Sequence, residues 1–197
     1  MAVDPRPLLY ANCMAAKVDS AALQDRYQLC HHSAMVSISV LPPMIFGVSP
    51  TKNAVVIAEA TGSGKAFAIT SIRSIPFQAR SGDDLTELLQ RLLALFDRGR
   101  NSRRSTIALL ASSPGRFKSS VEAIKAEAII ELAAAESGHP VVKVTAASLK
   151  KALGCATGQK WPARAKERFN PTDRHEHWSK GAAGAAAAAL KVVGEQT

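Results

Sequence analysis

Apolar and polar positions divide the chain into an early region of short β-prone runs and a later region with helical spacing. Ile45–Val48, Ala54–Ala60 and Ala66–Ile72 are apolar runs separated by Ser49-Pro50-Thr51-Lys52-Asn53 and Thr61-Gly62-Ser63-Gly64-Lys65. Turn residues between such runs are a hairpin signature, so residues 44–75 predict a three-stranded antiparallel meander. In the third run Phe67, Ile69 and Ile72 stand among polar neighbours that include Ser71 and Arg73, as in a strand with one solvated face.

Further along, Leu85, Leu88, Leu89, Leu92, Leu95 and Phe96 fall at helical spacing, with Asp83 as the expected N-cap. Asp84 and Glu87 suit the positive end of that helix. Thr106–Ala111 reads as a buried strand. Ser120–Glu136 reads as the longest helix, with Ser119 and Glu122 at capping-box spacing. Its expected inward stripe is Val121, Ile124, Ala128, Leu132 and Ala135. Gly138 ends it and Pro140 prevents its continuation. Val141–Thr145 follows as a strand, Ala147–Leu153 as a short helix, and Ser179–Val193 as an Ala-rich helix. Gly181 and Gly184 in that last helix imply that something lies close against it. The strand–helix–strand order implies a parallel pair joined by a right-handed crossover.

A chain of 197 residues is long enough for one domain with a full core. Residues 1–43 have weak patterning, with a short helix expected over Ala21–Leu29 and a break at Pro42-Pro43. They read as an N-terminal arm or an upstream extension, Met35 and Met44 being alternative starts, and residues 44–197 as the domain. Lys and Arg number 25 against 16 acids, a formal charge of +9. Such a surface favours polyanions, nucleic acid first and an acidic membrane surface second. Cys13, Cys30 and Cys155 are too few and too far apart for a disulfide framework, which suits a reducing cytoplasm. Cys30-His31-His32 lacks a second ligand pair at zinc spacing. With no apolar run of membrane-spanning length and no leader, a soluble cytoplasmic protein is expected.

Three segments carry candidate chemistry. Thr61–Lys65 resembles a phosphate loop, but Glu59 stands where the first Gly belongs and Ala66 where Ser or Thr would ligate Mg²⁺. A Gly-rich hairpin turn is the favoured reading. Arg98, Arg100, Arg103 and Arg104 form a basic loop, and Arg116 and Lys118 a basic turn before the long helix that carries Lys125. Lys160, Arg164, Lys166 and Arg168 are interleaved with Trp161 and Phe169. The last group reads as a basic loop that either contacts phosphates and stacks a base, or is anchored to the core by its aromatics.

The element order resembles the ribonuclease H-like fold: a mixed five-stranded sheet, three strands antiparallel and two parallel, flanked by helices. Ile45-Phe46-Gly47-Val48-Ser49-Pro50 resembles the first strand of RuvC-type Holliday junction resolvases. The segment from Gly115-Arg116-Phe117-Lys118 through Lys125, Glu127 and Ala128 resembles a small bacterial family of unknown function with the same fold. The resemblance spans about residues 44–193. It implies phosphodiester hydrolysis with two divalent metals held by carboxylates, and a homodimer. The implied acid positions here are Ser49, Ser112, Gly181 and Gly184, none of which can supply an anionic ligand for Mg²⁺. The expectation is therefore a non-catalytic protein without cofactor that binds DNA or RNA through its basic segments. The alternatives are an Mg²⁺- or Mn²⁺-dependent nuclease with displaced carboxylates, and a structural subunit with a protein partner. Glu59, Glu122, Glu127, Asp173 and Glu176 are the acids available for displacement, and Asp173, His175, Glu176 and His177 could form one ligand set.

Overall fold

The computed structural model describes residues 44–97, 105–112, 120–170 and 178–194. The strands are β1 (Ile45–Pro50), β2 (Ala54–Thr61), β3 (Ala68–Pro76), β4 (Thr106–Leu110) and β5 (Val141–Val144). The helices are α1 (Gly82–Asp97), α2 (Val121–Glu136), α3 (Ala146–Ala152), α4 (Trp161–Phe169) and α5 (Lys180–Val193). One sheet runs in the order β3-β2-β1-β4-β5. Its first three strands pair antiparallel in sequence order. β4 lies parallel to β1, and β5 parallel to β4. The expected meander and parallel pair are both present.

At the first turn Thr51 Oγ1 donates to the Ala54 carbonyl at 2.7 Å and accepts from the Ala54 N–H at 3.1 Å. At the second, Gly62 has φ +87° and Gly64 φ +52°, conformations that favour glycine. A single 3₁₀ turn, Gly64–Ala66, then leads into β3, which begins two residues later than the sequence pattern predicts. No helix follows the Gly-rich turn to receive a phosphate, so this segment is a hairpin.

Side chains alternate across the sheet and give two cores. Phe46, Val48, Val55, Ile57, Ile107 and Leu109 face α1 and α2, meeting Leu88, Leu92, Phe96 and Ile130. On the opposite face Ile45, Ala108 and Val144 meet Leu149 of α3, Ala165 of α4 and the alanines of α5, while Val56 and Ala58 meet Ala182 and Ala186. The result is three layers, helix–sheet–helix. Among the described residues no helix is long and apolar enough to cross a membrane.

Several sequence expectations are corrected. The α1 cap is Ser81, not Asp83: Ser81 Oγ accepts from the Asp84 N–H, and the Asp84 carboxylate accepts from the Ser81 N–H. α2 is capped by Ser120, whose side chain accepts from the Ala123 N–H, one residue after the expected Ser119. Residues 161–169 are a helix rather than a loop, because Pro162 lies in the first turn, where its missing N–H has no cost. The expected inward stripe of α2 faces outward: Val121, Ile124, Ala128, Leu132 and Ala135 are all exposed. The core side of α2 is Ala123, Ala126, Ile130, Ala133 and Ala134. Alanine on every side of this helix leaves its spacing compatible with either face.

The expectations for residues 1–43, for Arg98, Arg100, Arg103 and Arg104, for Arg116 and Lys118, and for Asp173 to His177 lie outside the described residues.

Candidate functional site

α5 governs the geometry of the region where the implied acids map. Ala182, Ala183 and Ala185–Ala189 are each no more than 1% exposed. A helix apolar all round is a buried helix. Here α5 lies across β1, β2 and β4, with α3 and α4 against its other side. Its approach to the sheet leaves no room for side chains. A Cβ on Gly47 of β1 would collide with the Ala185 carbonyl oxygen and lie 2.8 Å from its carbon. A Cβ on Gly181 would lie 2.5 Å from Val56 Cγ2. One on Gly184 would lie 2.8 Å from both Ser49 Oγ and Leu110 Cδ2.

Ser49, Gly181 and Gly184 are thus brought together. Ser49 follows Val48, whose parallel partner on β4 is Leu109, so the strand register carries Ser49 alongside Leu110. A cleft of about 370 Å³ opens there, lined by Ser49, Thr51, Leu110, Trp161, Pro162 and Gly181. Leu110, Thr51 and Pro162 were not anticipated as its walls; the parallel pairing of β1 with β4 is the signal that places Leu110. Ser112 lies beyond the end of β4, in a neighbouring depression shared with Lys52, Ser120 and Ala146.

The nearby acids are committed elsewhere. Glu127 Oε2 accepts from the Ser112 N–H at 3.1 Å, and its other oxygen stands 3.6 Å from Lys143 Nζ. Glu131 holds the same ammonium at 2.7 Å, and this hydrogen bond raises the Lys143 pKa above its ordinary value. Glu59 pairs with Arg73 at 3.1 Å and shares the strand face of Val55 and Ile57, opposite to that of Ser49. Among the described residues, no three His, Cys, Asp or Glu side chains come together as a metal set. Two hydroxyls, a leucine and glycine backbone do not fit a pair of Mg²⁺ ions, which require anionic oxygen.

Glu122, in the first turn of α2, accepts hydrogen bonds from its own N–H and from Ser120, and these lower its pKa. A lowered folded-state pKa contributes stability above the unfolded value, which is lost as pH falls through the folded value. Glu122→Gln is therefore expected to be less stable than the wild type above about pH 4.5, with the difference vanishing down the acid limb. Urea midpoints measured across that range check it.

α4 gathers the basic residues that the sequence placed in a loop. Lys160, Arg164 and Arg168 recur every four residues along α4, beside Trp161. Arg164 pairs with Glu167 at 3.0 Å, and the Arg168 guanidinium lies 5.6 Å from the centre of the Phe169 ring. Lys160, Lys166 and Arg168 are exposed, while Trp161 is half-buried against the second core. Lys125 is not part of this group. It lies on α2, across the sheet, with its ammonium 3.4 Å from the Ala79 carbonyl.

No family model and no curated protein sequence matches the chain. Solved structures do. A Thermus thermophilus RuvC structure superposes with a TM-score of 0.61 at 16% identity, over 78% of this chain and 95% of that one. T. thermophilus RuvC in complex with Holliday junction substrate gives a TM-score of 0.62 at 15% identity over the same shares. The three-stranded meander, the parallel β1–β4–β5 edge and the helices on both faces give this chain the ribonuclease H-like fold in the form built by RuvC.

Proposed function

We propose that this protein is a non-catalytic member of the ribonuclease H-like fold that binds nucleic acid through its basic surface. The observation that carries this reading is the cleft at Ser49, where the positions implied for acids hold Ser49, Gly181 and Gly184, Leu110 forms a wall, and α5 occupies the space acid ligands would need. The basic ridge of Lys160, Arg164 and Arg168 borders that cleft through Trp161. Guanidinium and ammonium groups along a helix neutralise phosphates without reading sequence. The RuvC structure solved with a Holliday junction substrate supports a nucleic-acid role for this scaffold. Further phosphate contacts in this reading come from Arg98, Arg100, Arg103, Arg104, Arg116, Lys118 and Lys166.

Fluorescence anisotropy with single- and double-stranded DNA and RNA at low salt tests the proposal. Binding is expected, and the combined substitution Lys160→Glu, Arg168→Glu is expected to weaken it about tenfold or more, because each reversal turns an attraction into a repulsion. No binding to any of the four would overturn the reading and leave a protein-binding role. The nuclease reading with displaced carboxylates retains Asp173 and Glu176 as its acids, and a cleavage assay separates it from the present one.

A further inference from the structure

The cleft at Ser49 has apolar walls and a single uncommitted hydroxyl inside. Leu110, Pro162 and Trp161 form the walls, and its volume of about 370 Å³ lies within the range of sites that enclose small ligands. Thr51 also lines it, but its hydroxyl already donates to the Ala54 carbonyl and accepts from the Ala54 N–H. Ser49 is 4% exposed, and its hydroxyl has no hydrogen-bond partner among the described residues. A nearly buried hydroxyl without a partner is costly, and it can both donate and accept toward a group that enters the cleft.

Cations flank this cleft. Lys160 is exposed and immediately precedes Trp161. Lys52 is exposed in the turn after β1 and lines the neighbouring depression, which shares the Leu110 wall. An apolar slot with a hydroxyl inside and ammonium groups outside is complementary to an aromatic heterocycle that carries phosphates. The faces of a nucleobase suit indole, proline and leucine, and its edge offers donors and acceptors to a hydroxyl. An aliphatic side chain of a protein partner would leave Ser49 unpaired and gain nothing from Lys52 or Lys160. A base inside a duplex has its faces covered by its neighbours and its edge by its partner, and it must be unstacked and flipped before it can enter.

We propose that this cleft receives one unpaired base of a nucleic-acid strand, stacked on Trp161 and hydrogen-bonded to Ser49, with the adjoining phosphates drawn by Lys52 and Lys160. This rests on the nucleic-acid-binding role proposed above and narrows its substrate class to strands with unpaired nucleotides. The cations gathered on α4 neutralise any phosphate backbone, whereas the cleft distinguishes an open strand from a closed one.

Two fluorescein-labelled duplexes with the same number of phosphates test this. One carries a single unpaired adenosine, and in the other an abasic nucleotide takes its place. Anisotropy titrations of the full chain should give an affinity about five- to 150-fold tighter for the adenosine duplex, the range that one stacked base supplies. Trp161→Ala should close that gap, Trp161→Phe should keep most of it, and Ser49→Ala should narrow it about two- to tenfold. The last two variants keep the test decisive should Trp161→Ala loosen α4. The chain has two tryptophans, and the adenosine duplex should quench emission in the wild type but not in Trp161→Phe. Adenosine monophosphate should displace the duplex only at far higher concentration. Displacement by the free nucleotide at concentrations that match the affinity of the adenosine duplex would assign the cleft to free nucleotides and overturn the proposal. Equal affinity for the two duplexes, or a gap that survives Trp161→Ala, would also overturn it while leaving the phosphate-binding role standing. No binding of either duplex would remove that role and this one with it.

Discussion

Replacing Gly47 with alanine is expected to destabilise the protein by about 3 kcal/mol or more, at or beyond the upper end of ordinary overpacking. The added methyl would collide with the Ala185 carbonyl oxygen and stand 3.0 Å from Ala189 Cβ. The oxygen belongs to the backbone of a helix sealed between the sheet and two other helices, so no rotamer change relieves the contact. Relief requires moving α5 off β1, which also loosens its contacts with β2 and β4. At roughly 2–4 °C per kcal/mol for a chain of this size, the melting temperature should fall by about 6–12 °C. Gly82→Ala serves as the control. A Cβ there meets nothing within 4 Å, and stability should stay within about 0.5 kcal/mol of wild type. Equal effects at Gly47 and Gly82 would contradict the account of α5 as a helix seated on the sheet backbone.

Nucleic-acid affinity is expected to fall by about 10³-fold or more between 50 and 200 mM salt, provided six or more phosphates are neutralised. The proposed contacts contain ten cationic side chains, from Arg98 to Arg168, more than enough for that number. Arg164 already shares its charge with Glu167 at 3.0 Å, so it should contribute less than Lys160 or Arg168. The slope of log affinity against log salt should become shallower by about one unit for each phosphate-contacting cation replaced by alanine. Titrations of one duplex across that salt range, repeated for Lys160→Ala and Arg168→Ala, measure this. A flat profile would point to a neutral or hydrophobic mode of recognition.

Much of the fold could be read from the chain because each strand is a separate apolar run ended by turn residues. Ser49–Asn53 and Thr61–Lys65 marked the two hairpins, and the Leu spacing of α1 marked its buried face. Legibility failed where alanine dominates. α2 carries apolar residues on all sides, and only tertiary contacts decided that Ile130 faces inward while Ile124 faces solvent. α4 was concealed by Pro162, which reads as a breaker in sequence but is favourable in a first turn. The site was half legible. Gly181 and Gly184 indicated close packing, and the structure supplies the atoms they avoid, Val56 and Ser49. The hydrophobic wall at Leu110 depends on the β1–β4 register, which no local pattern encodes.

Cleavage of branched and linear DNA in Mn²⁺, under single-turnover conditions and against an EDTA control, tests most directly whether this scaffold lacks metal-dependent chemistry. The account predicts no product above the control, since the cleft at Ser49, Leu110 and Gly181 offers no carboxylate to bridge two cations. Mn²⁺-dependent product that disappears with EDTA, and in Asp173→Asn or Glu176→Gln, would contradict it.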